Sequence, residues 1–251
     1  MGFRLSICIP TYNRVGLLRE TLESIVSQAR EGLEIVICDN ASTDATPQLV
    51  EEFKGRFPAI RYFRWPENQG FDRNILKVVE EAHGDYCWLM GDDDHLEAGA
   101  LERLFPLLEE GYGCIYVNAA TYDREMTRCS GETIRHFACA DADEMLLSIA
   151  SWLTFVSSIC VRRADFLAHL DSGLAHVGTG FAHCYPLVGV IRRARNHIVR
   201  EPLVRFRAGN TGGYNIFRMF IEEFGRILAY CGELGYSPAV IEEIRTRNVY
   251  L

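Results

Sequence analysis

The feature that most constrains this sequence is a short apolar run that ends in three consecutive carboxylates. Tyr86 to Met90 are apolar, glycines bound the segment, and Asp92, Asp93 and Asp94 follow. Such a run predicts a strand buried on both faces of a parallel sheet, which delivers the carboxylates to the edge where ligands bind. Adjacent carboxylates repel one another unless water or a cation separates them, so their natural complement is a hard divalent ion. The alternative is an acidic turn that caps the next helix.

Strand-like and helix-like segments alternate along the first half of the chain. Strands are predicted at Leu5–Ile9, Leu33–Cys38, Ile60–Phe63 and Cys114–Val117, with amphipathic helices between them. This alternation predicts a mostly parallel, doubly wound α/β sheet. The second half is less regular, with a strand predicted at Phe155–Val161, a helix at Arg163–Leu170 and a last strand at Ile198–Phe206.

Composition limits the class of protein. The 251 residues are 48% hydrophobic and 24% charged, which predicts a globular domain rather than a disordered chain. A net charge of -8 argues against general nucleic-acid binding. Several of the nine cysteines lie in strand-like runs, where they fit small buried hydrophobes of a reducing compartment. Because no run approaches the ~18 apolar residues of a membrane span and the N-terminus enters a strand directly, we expect a cytoplasmic protein.

Two further loops reach the same edge of the predicted sheet as the acidic triplet. Pro10–Arg14 follows the first strand and Asp39–Asp44 follows the second. Their side chains suit a nucleotide, because Tyr12 can stack on a base and Asp39 can accept a hydrogen bond from a base N–H.

Charged side chains near this edge suit the rest of a nucleotide. Arg14 or Arg73 can bind a phosphate, and Asp92 can hold the ribose hydroxyls. Asp93 can bind a divalent cation that bridges a diphosphate, which makes the diphosphate a better leaving group by neutralising its developing charge.

Four motifs follow one another over residues 6–101. They are Ser6–Arg14, Glu34–Asp44, Asn68-Gln69-Gly70 with Arg73-Asn74, and Gly84-Asp85-Tyr86 through Asp92-Asp93-Asp94 to Leu101. Each motif is weak alone, but the order of all four is specific. In this respect the chain resembles the family 2 glycosyltransferases of the GT-A fold, inverting enzymes that move a sugar from a nucleotide-diphosphate donor to an acceptor hydroxyl.

The resemblance implies a domain organisation. It implies a single Rossmann-like α/β domain of the GT-A type, with a mostly parallel sheet and a C-terminal helical appendage. Residues 1–118 would form the nucleotide-sugar-binding half, residues 119–212 the acceptor-binding half and residues 213–251 the helical tail. Apolar residues in this tail have helical spacing, which favours packing on the domain over a membrane-surface helix.

The resemblance also implies a set of binding residues. The nucleotide site would be lined by Pro10, Tyr12, Arg14, Asp39, Asp44, Arg73 and Asp92. Asp93 would be the metal-binding aspartate, with Mn²⁺ or Mg²⁺ as the cation. The family often shows an Asp-x-Asp-Asp arrangement, and here Gly91 occupies its first position. Which carboxylates contact the ligand therefore stays open, and Asp94 is a second metal candidate.

An inverting transfer needs a general base that takes the proton of the acceptor hydroxyl. Many members of the family present an acidic pair at the start of a helix in the second half, whereas this chain has Gly178–Cys184 there. His183 is the first candidate, because histidine has a suitable ordinary pKa, and Asp171 and His176 follow. The alternative is that His183 only packs at the helix start.

A late segment, Val204–Thr211, resembles an Arg-x-His-like segment that closes over the diphosphate in family members. Gly209 stands where a histidine is common, so Arg205 or Arg207 would supply the positive charge at the donor. The run Gly209–Gly213 would then be a mobile lid that donor binding orders.

The implied function is metal-dependent, inverting transfer from a nucleotide-diphosphate sugar to a glycan, a lipid-linked glycan or another hydroxyl acceptor. Its context would be bacterial polysaccharide, lipopolysaccharide or glycoconjugate synthesis, with peripheral membrane contact through the tail and no nucleic-acid partner. One alternative is a non-catalytic sugar-nucleotide or glycan binder that kept the fold and lost the base. Another is a sugar-nucleotide pyrophosphorylase, which would need a Gly-rich Arg-Lys phosphate loop where this chain has Pro10–Arg14.

Overall fold

The computed structural model describes residues 2–134, 137–209 and 218–248. The strands of these residues are β1 (Leu5–Thr11), β2 (Leu33–Asp39), β3 (Ile60–Arg64), β4 (Tyr86–Leu89), β5 (His95–Leu96), β6 (Cys114–Tyr122), β7 (Cys129–Glu132), β8 (Ile159–Arg162) and β9 (Asn196–Arg207). The α-helices are α1 (Val15–Val26), α2 (Thr46–Lys54), α3 (Phe71–Glu81), α4 (Ala100–Leu107), α5 (Ala142–Ile149), α6 (Arg163–Leu167), α7 (Leu170–Leu174), α8 (Cys184–Arg193), α9 (Phe224–Glu233) and α10 (Pro238–Asn248).

The described strands form one mixed sheet in the order β3-β2-β1-β4-β8-β6-β9-β5, with β7 paired to β6. Strands β3, β2, β1 and β4 are mutually parallel, and β6 is parallel to β9. Strand β8 is antiparallel to both β4 and β6, and it joins the two parallel groups. The predicted α/β fold with a mostly parallel sheet is confirmed, and the sheet continues through both predicted halves of the domain.

Helices cover both faces of the sheet because successive strand residues point to opposite faces. In β1, Ile7 and Ile9 face one core and Cys8 faces the other. The first core also contains the apolar faces of α1, α2 and α4. The second contains those of α3, α5, α8 and α9. All seven residues of β1 and of β2 are buried, which explains why these strands read as continuous apolar runs.

Several elements of the second half differ from their sequence prediction. The predicted strand Phe155–Val161 is a short 3₁₀ turn at Val156–Ser158 followed by β8, because the turn carries Ser157 towards the acidic loop. Strand β6 runs past its predicted end to Tyr122, since β9 and β7 continue to pair with it. The sequence analysis missed the two-residue β5 and the exposed β7, which lack a strong apolar pattern.

Helix α9, in the predicted C-terminal tail, packs on the domain. Phe224, Ile227, Leu228 and Cys231 are buried in the core shared with α5 and α8. Ile221, just before α9, keeps 59% of its surface exposed. None of the helices in the described part of the chain is both long and apolar enough to cross a membrane. Of the tail residues that motivated the helix prediction, Ile216 and Phe217 lie outside the described residues.

Candidate active site

Three loops meet at the carboxyl edge of the parallel strands. The register pairs Thr11 at the end of β1 with Asp39 at the end of β2, and β4 lies on the other side of β1. The loops that follow these strands are Tyr12–Arg14, Asn40–Ala45 and Met90–Asp94. The edge of the sheet thus brings the predicted nucleotide and acidic segments together, as the strand order requires.

Asp92 is anchored in this edge by two side chains. It is 6% exposed, and its Oδ2 accepts a hydrogen bond of 2.8 Å from Thr11 Oγ1. Its Oδ1 lies 3.0 Å from a guanidinium nitrogen of Arg14. Burial raises the pKa of Asp92 to about 6, although the Arg14 charge opposes the rise. Thr11 and Arg14 therefore fix the orientation of the Asp92 side chain.

Asp93 and Asp94 lie in different surroundings although they are adjacent. The Asp93 side chain is 16% exposed, and its Oδ2 lies 3.5 Å from the same Arg14 nitrogen. Asp94 is 3% exposed and accepts hydrogen bonds from Ser157 Oγ at 2.5 Å and from the backbone N–H of Arg207 at 3.0 Å. Burial and the neighbouring Asp93 carboxylate raise the pKa of Asp94 to about 7. Asp93 is therefore the more accessible of the two predicted metal ligands.

Gly91 leaves room for the carboxylates that follow it. A Cβ at this position would lie 3.1 Å from oxygens of both Asp93 and Asp94 and 3.3 Å from Ser157 Oγ. The Gly91 backbone N–H also donates a hydrogen bond of 2.9 Å to Ser157 Oγ. A side chain here would crowd the acidic loop unless these neighbours shifted by a few tenths of an ångström.

The donor set of this loop fits a hard divalent cation. Asp92 and Asp93 supply only carboxylate oxygens, which Mg²⁺ and Mn²⁺ prefer. Within the described ranges, no group of three or more His, Cys, Asp and Glu side chains could hold a metal ion. A cation that takes one or two carboxylates and draws its other ligands from substrate phosphates and water matches this arrangement.

The predicted base-binding residue Asp39 is fully buried. Its Oδ1 accepts the backbone N–H of Ser42 at 2.8 Å, and its Oδ2 accepts the Tyr62 hydroxyl at 2.6 Å. Arg64 Nε lies 3.4 Å from the same Oδ2. Asp39 therefore organises the loop after β2, and any contact with a base would use the remaining lone pairs of its oxygens.

The other predicted nucleotide residues surround this edge. Pro10 is buried in β1, whereas Tyr12 is 43% exposed and Arg73 is exposed in the first turn of α3. Asp44 accepts backbone N–H groups from Val15 at the start of α1 and from Thr46 at the start of α2. Asp44 therefore joins two helix N-termini, where a carboxylate stabilises the unpaired N–H groups.

The three predicted general bases differ in access. His183 is 1% exposed, its Nε2 lies 3.3 Å from the carbonyl oxygen of Thr154, and its Nδ1 has no hydrogen-bond partner. Burial lowers the pKa of His183 to about 4. His176 is half-buried, with Nδ1 2.7 Å from the carbonyl oxygen of Ser172. Asp171 is exposed in α7.

The tautomer of His176 follows from its partner. A carbonyl oxygen only accepts, so Nδ1 of His176 must carry the hydrogen, and Nε2 keeps its lone pair in the neutral ring. The ring also stacks on Tyr185 with centroids 3.5 Å apart. His176 thus has a fixed ring in a half-buried position, whereas the unpartnered Nδ1 of His183 is buried.

The sequence analysis missed two residues that hold the site together. Asp72 is 4% exposed and accepts the backbone N–H groups of Gly178, Gly180 and Ala182 at 2.7, 2.9 and 3.1 Å. Ser157 bridges Gly91 and Asp94. Asp72 reads as an ordinary acidic residue of a first helical turn, and nothing in the sequence signals its distant partner.

Arg205 and Arg207 have different environments. Arg205 lies 3.0 Å from Glu97 and stacks over Tyr122. Arg207 is 6% exposed, and its guanidinium contacts the carbonyl oxygens of Asp93 and Arg124 and the carboxylate of Glu20. Of the predicted lid, residues 210–213 lie outside the described residues.

Comparison with known proteins identifies the family. Residues 6–167 match the model of glycosyl transferase family 2. The abequosyltransferase RfbV of Salmonella typhimurium is 34% identical over 225 residues, which cover 82% of this chain and 67% of the relative. A Campylobacter jejuni GalNAc(5)-diNAcBac-PP-undecaprenol beta-1,3-glucosyltransferase is 34% identical over 116 residues, 46% of this chain and 38% of that protein.

Solved structures support the fold. Residues 1–349 of TarS from S. aureus in complex with UDP superpose with a TM-score of 0.73 at 17% identity, over 98% of this chain and 71% of that one. The mannosyltransferase PcManGT from Pyrobaculum calidifontis in complex with GDP-Man and Mn²⁺ gives 0.65 at 21% identity, over 96% and 67%. The predictions of the fold and of the enzyme class are confirmed at the level of the family, and the chain belongs to glycosyl transferase family 2 with the GT-A fold.

Proposed function

We propose that the chain transfers a sugar, with inversion, from a nucleotide-diphosphate donor to an acceptor hydroxyl, and that it needs Mn²⁺ or Mg²⁺. The observation that carries this proposal is the cluster of Thr11, Arg14, Asp92 and Asp93 at the carboxyl edge of β1 and β4. The cluster combines the positive charge of Arg14 with the carboxylates of Asp92 and Asp93 at an accessible edge of the sheet. A diphosphate bridged by a metal ion requires these charges.

The donor's nucleotide lies, in this proposal, over the loops after β1 and β2. Tyr12 is exposed and free of core packing, so it can stack on the base. Asp39 accepts a base N–H beside its present partners, Asp44 holds the starts of α1 and α2, and Pro10 lies near the end of β1. The structures that share this fold hold UDP or GDP-Man, which supports a nucleotide ligand of this class.

The chain's charged residues orient the diphosphate. Arg14 and the exposed Arg73 can each bind a phosphate oxygen. Asp93, with Asp92 beside it, would hold the cation, and Asp94 is the less accessible alternative. When bound, the cation neutralises charge on the departing diphosphate. Thr11 and Arg14 hold Asp92 in place, so the carboxylates need no rearrangement before the donor binds.

Of the three predicted bases we favour His176, because its tautomer is fixed and its ring is only half-buried. Its Nδ1–H is fixed on the Ser172 carbonyl oxygen, which leaves Nε2 able to accept a proton from an acceptor hydroxyl. His183 would need to leave its buried position first, and its pKa of about 4 makes it a weak base. Asp171 is exposed and is the third candidate.

The acceptor we propose is a lipid-linked glycan of a bacterial surface polysaccharide or glycoconjugate. The name of the C. jejuni relative describes a polyprenyl-diphosphate-linked acceptor, and that of RfbV an abequosyl transfer. Such an acceptor places the enzyme in the cytoplasm at the inner membrane face, with the C-terminal helices as the peripheral contact. A glycan acceptor without a lipid would give the same chemistry at the donor site.

A donor screen tests the proposal. Thermal unfolding is measured with UDP-, GDP-, CDP- and dTDP-sugars, each with and without Mn²⁺ or Mg²⁺. A ligand that binds only the native state raises the free energy of unfolding, by about 2.7 kcal/mol at 100 times its Kd, and the unfolding midpoint rises with it. We expect one nucleotide class to stabilise the protein, and more strongly with the cation. Equal midpoints in every arm would contradict a nucleotide-sugar site.

A further inference from the structure

Arg207 is a buried cation whose side chain contacts several groups around the acidic loop. Its Nε donates a hydrogen bond of 3.0 Å to the backbone carbonyl of Asp93, and its backbone N–H donates one of 3.0 Å to Asp94 Oδ1. The two terminal nitrogens contact Glu20, the Arg124 carbonyl and, at 3.2 Å, His95 Nε2. Arg207, at the end of β9, thus donates hydrogen bonds to both Asp93 and Asp94.

Ser157 holds the same loop from the opposite side. It is fully buried, accepts the N–H of Gly91 and donates to Asp94 Oδ2. The loop Gly91–Asp94 is therefore fixed at its first residue by Ser157, at Asp93 by Arg207 and at Asp94 by both. Of these contacts, only the one made by the Arg207 side chain involves Asp93, whose backbone carbonyl it binds.

We propose that Arg207 is a positioning residue for Asp93, and that it acts on cation binding without touching the donor. This inference rests on the proposed function, because it takes Asp93 as the cation ligand. The guanidinium fixes the peptide carbonyl from which the Asp93 side chain projects, so it sets where that carboxylate points. It differs from the expectation drawn from the family resemblance, in which this arginine meets the diphosphate directly.

The charge arrangement supports a fixed rather than a ligand-binding guanidinium. A buried cation is stable only when paired and hydrogen-bonded, and Glu20 supplies the counter-charge here. Nε and both terminal nitrogens of Arg207 already have protein partners. To reach a phosphate, the side chain would have to abandon Glu20 and the Asp93 carbonyl together. A lysine has no planar set of donors, so it cannot contact these groups simultaneously.

The test separates the two roles by measuring nucleotide affinity with and without the cation. Calorimetric titrations with UDP, GDP, CDP and dTDP, each in EDTA or in Mn²⁺, are made on the full chain and on Arg207→Lys and Arg207→Gln. Arg103→Gln is the matched control, because it removes an exposed arginine that pairs with a glutamate, Glu201, and that has no part in the proposed site. Circular dichroism and thermal unfolding record the fold of each variant.

We expect the Arg207 variants to bind the nucleotide in EDTA within about twofold of the parent, and to lose roughly 10- to 100-fold of affinity in Mn²⁺, as for other partners that orient a metal ligand. Adding Asp93→Asn should then cause no further loss, because both changes remove the same effect. Arg103→Gln should keep the full gain from Mn²⁺. Glu20→Gln removes the counter-charge of Arg207 without changing the acidic loop, so it should reproduce part of the loss in Mn²⁺. This variant replaces the Arg207 variants in the test if those unfold.

Three results would overturn the inference. An equal loss of affinity in EDTA and in Mn²⁺ would make Arg207 a direct donor contact. An unchanged gain from Mn²⁺ in the Arg207 and Glu20 variants would show that the loop needs no such anchor. A parent protein that binds nucleotide with no gain from Mn²⁺ would refute the cation role of Asp93 itself, and so the proposed metal dependence rather than the anchor alone.

Discussion

Burial decides what His183 can do. A histidine with its Nδ1 unpaired in an apolar interior disfavours its charged form, which is why the pKa of His183 falls from 6.5 to about 4. Phe71 packs edge-on against the ring at 6.0 Å between centroids. The residue that the motif comparison placed first as general base is thus, in this structure, a core side chain at the start of α8.

His183 should make the protein sensitive to acid. Its folded pKa lies below its unfolded value, so its contribution to stability is complete above pH 6.5 and is lost as the pH falls towards 4. Between pH 7.5 and pH 5 this loss is about 2 kcal/mol in the free energy of unfolding. Urea unfolding at the two pH values measures it. His183→Gln should show a smaller loss over the same range, and an identical loss in parent and variant would contradict the assigned pKa.

His176 should matter more for turnover than His183. With the donor chosen by the screen, His176→Gln is expected to cut turnover by about 10²- to 10⁴-fold while donor affinity stays within a few-fold, because a base acts on the acceptor. Release of the nucleoside diphosphate reports turnover. Asp171→Asn and His183→Gln are measured beside it. A greater loss in either of those two, at equal donor affinity, would move the base to that residue.

At the scale of elements, the first turn of α3 organises the loop that precedes α8. Asp72, in the first turn of α3, accepts three backbone N–H groups of the segment Gly178–Ala182. Gly178 and Gly180 have φ angles of +99° and +80°, a region that L-residues rarely adopt and that turns these amides towards one carboxylate. Helix α3 and the loop that precedes α8 are therefore one connected unit.

Asp72→Asn should loosen this loop. The amide nitrogen cannot accept, so at least one buried N–H loses its partner, at a cost of about 1–3 kcal/mol. Urea unfolding measures the cost, and hydrogen exchange should show faster exchange at the amides of Gly178, Gly180 and Ala182. The matched control is Asp171→Asn, an exposed aspartate in the same half of the chain. Unchanged exchange at the three amides in Asp72→Asn would refute the anchoring role.

Local sequence pattern was sufficient for some elements and insufficient for others. Strands β1, β2 and β4 are buried apolar runs bounded by turn residues, so their positions and the edge that carries Asp92–Asp94 could be predicted. Strand β5 has two residues and exists because β9 pairs with it. Asp72 contacts Gly178, which is 106 positions away in the sequence. Ser157 contacts Asp94, which is 63 positions away. Sequence spacing carries no signal for such distant pairs.

At the scale of the whole molecule, the sheet joins the two predicted halves of the domain. Strands β1, β2 and β4 supply the edge that carries Asp92 and Asp93, and β8, β6 and β9 continue the same sheet to Arg207. The hydrogen bonds from Arg207 to Asp93 and Asp94 connect the last of these strands to the acidic loop. The division of the domain into halves at residues 118 and 212 stays a prediction. One sheet runs across the first of these limits.

Cleavage of the donor tests the central claim most directly. The parent and Asp93→Asn are incubated with the nucleotide sugar selected by the screen, with Mg²⁺ or EDTA, and proton NMR follows the free sugar released to water. The account predicts cleavage by the parent in Mg²⁺, with the first sugar released in the inverted anomeric form, and a loss of cleavage in EDTA and in Asp93→Asn. A parent that binds the donor without cleaving it, or that releases sugar with retained configuration, would contradict the account.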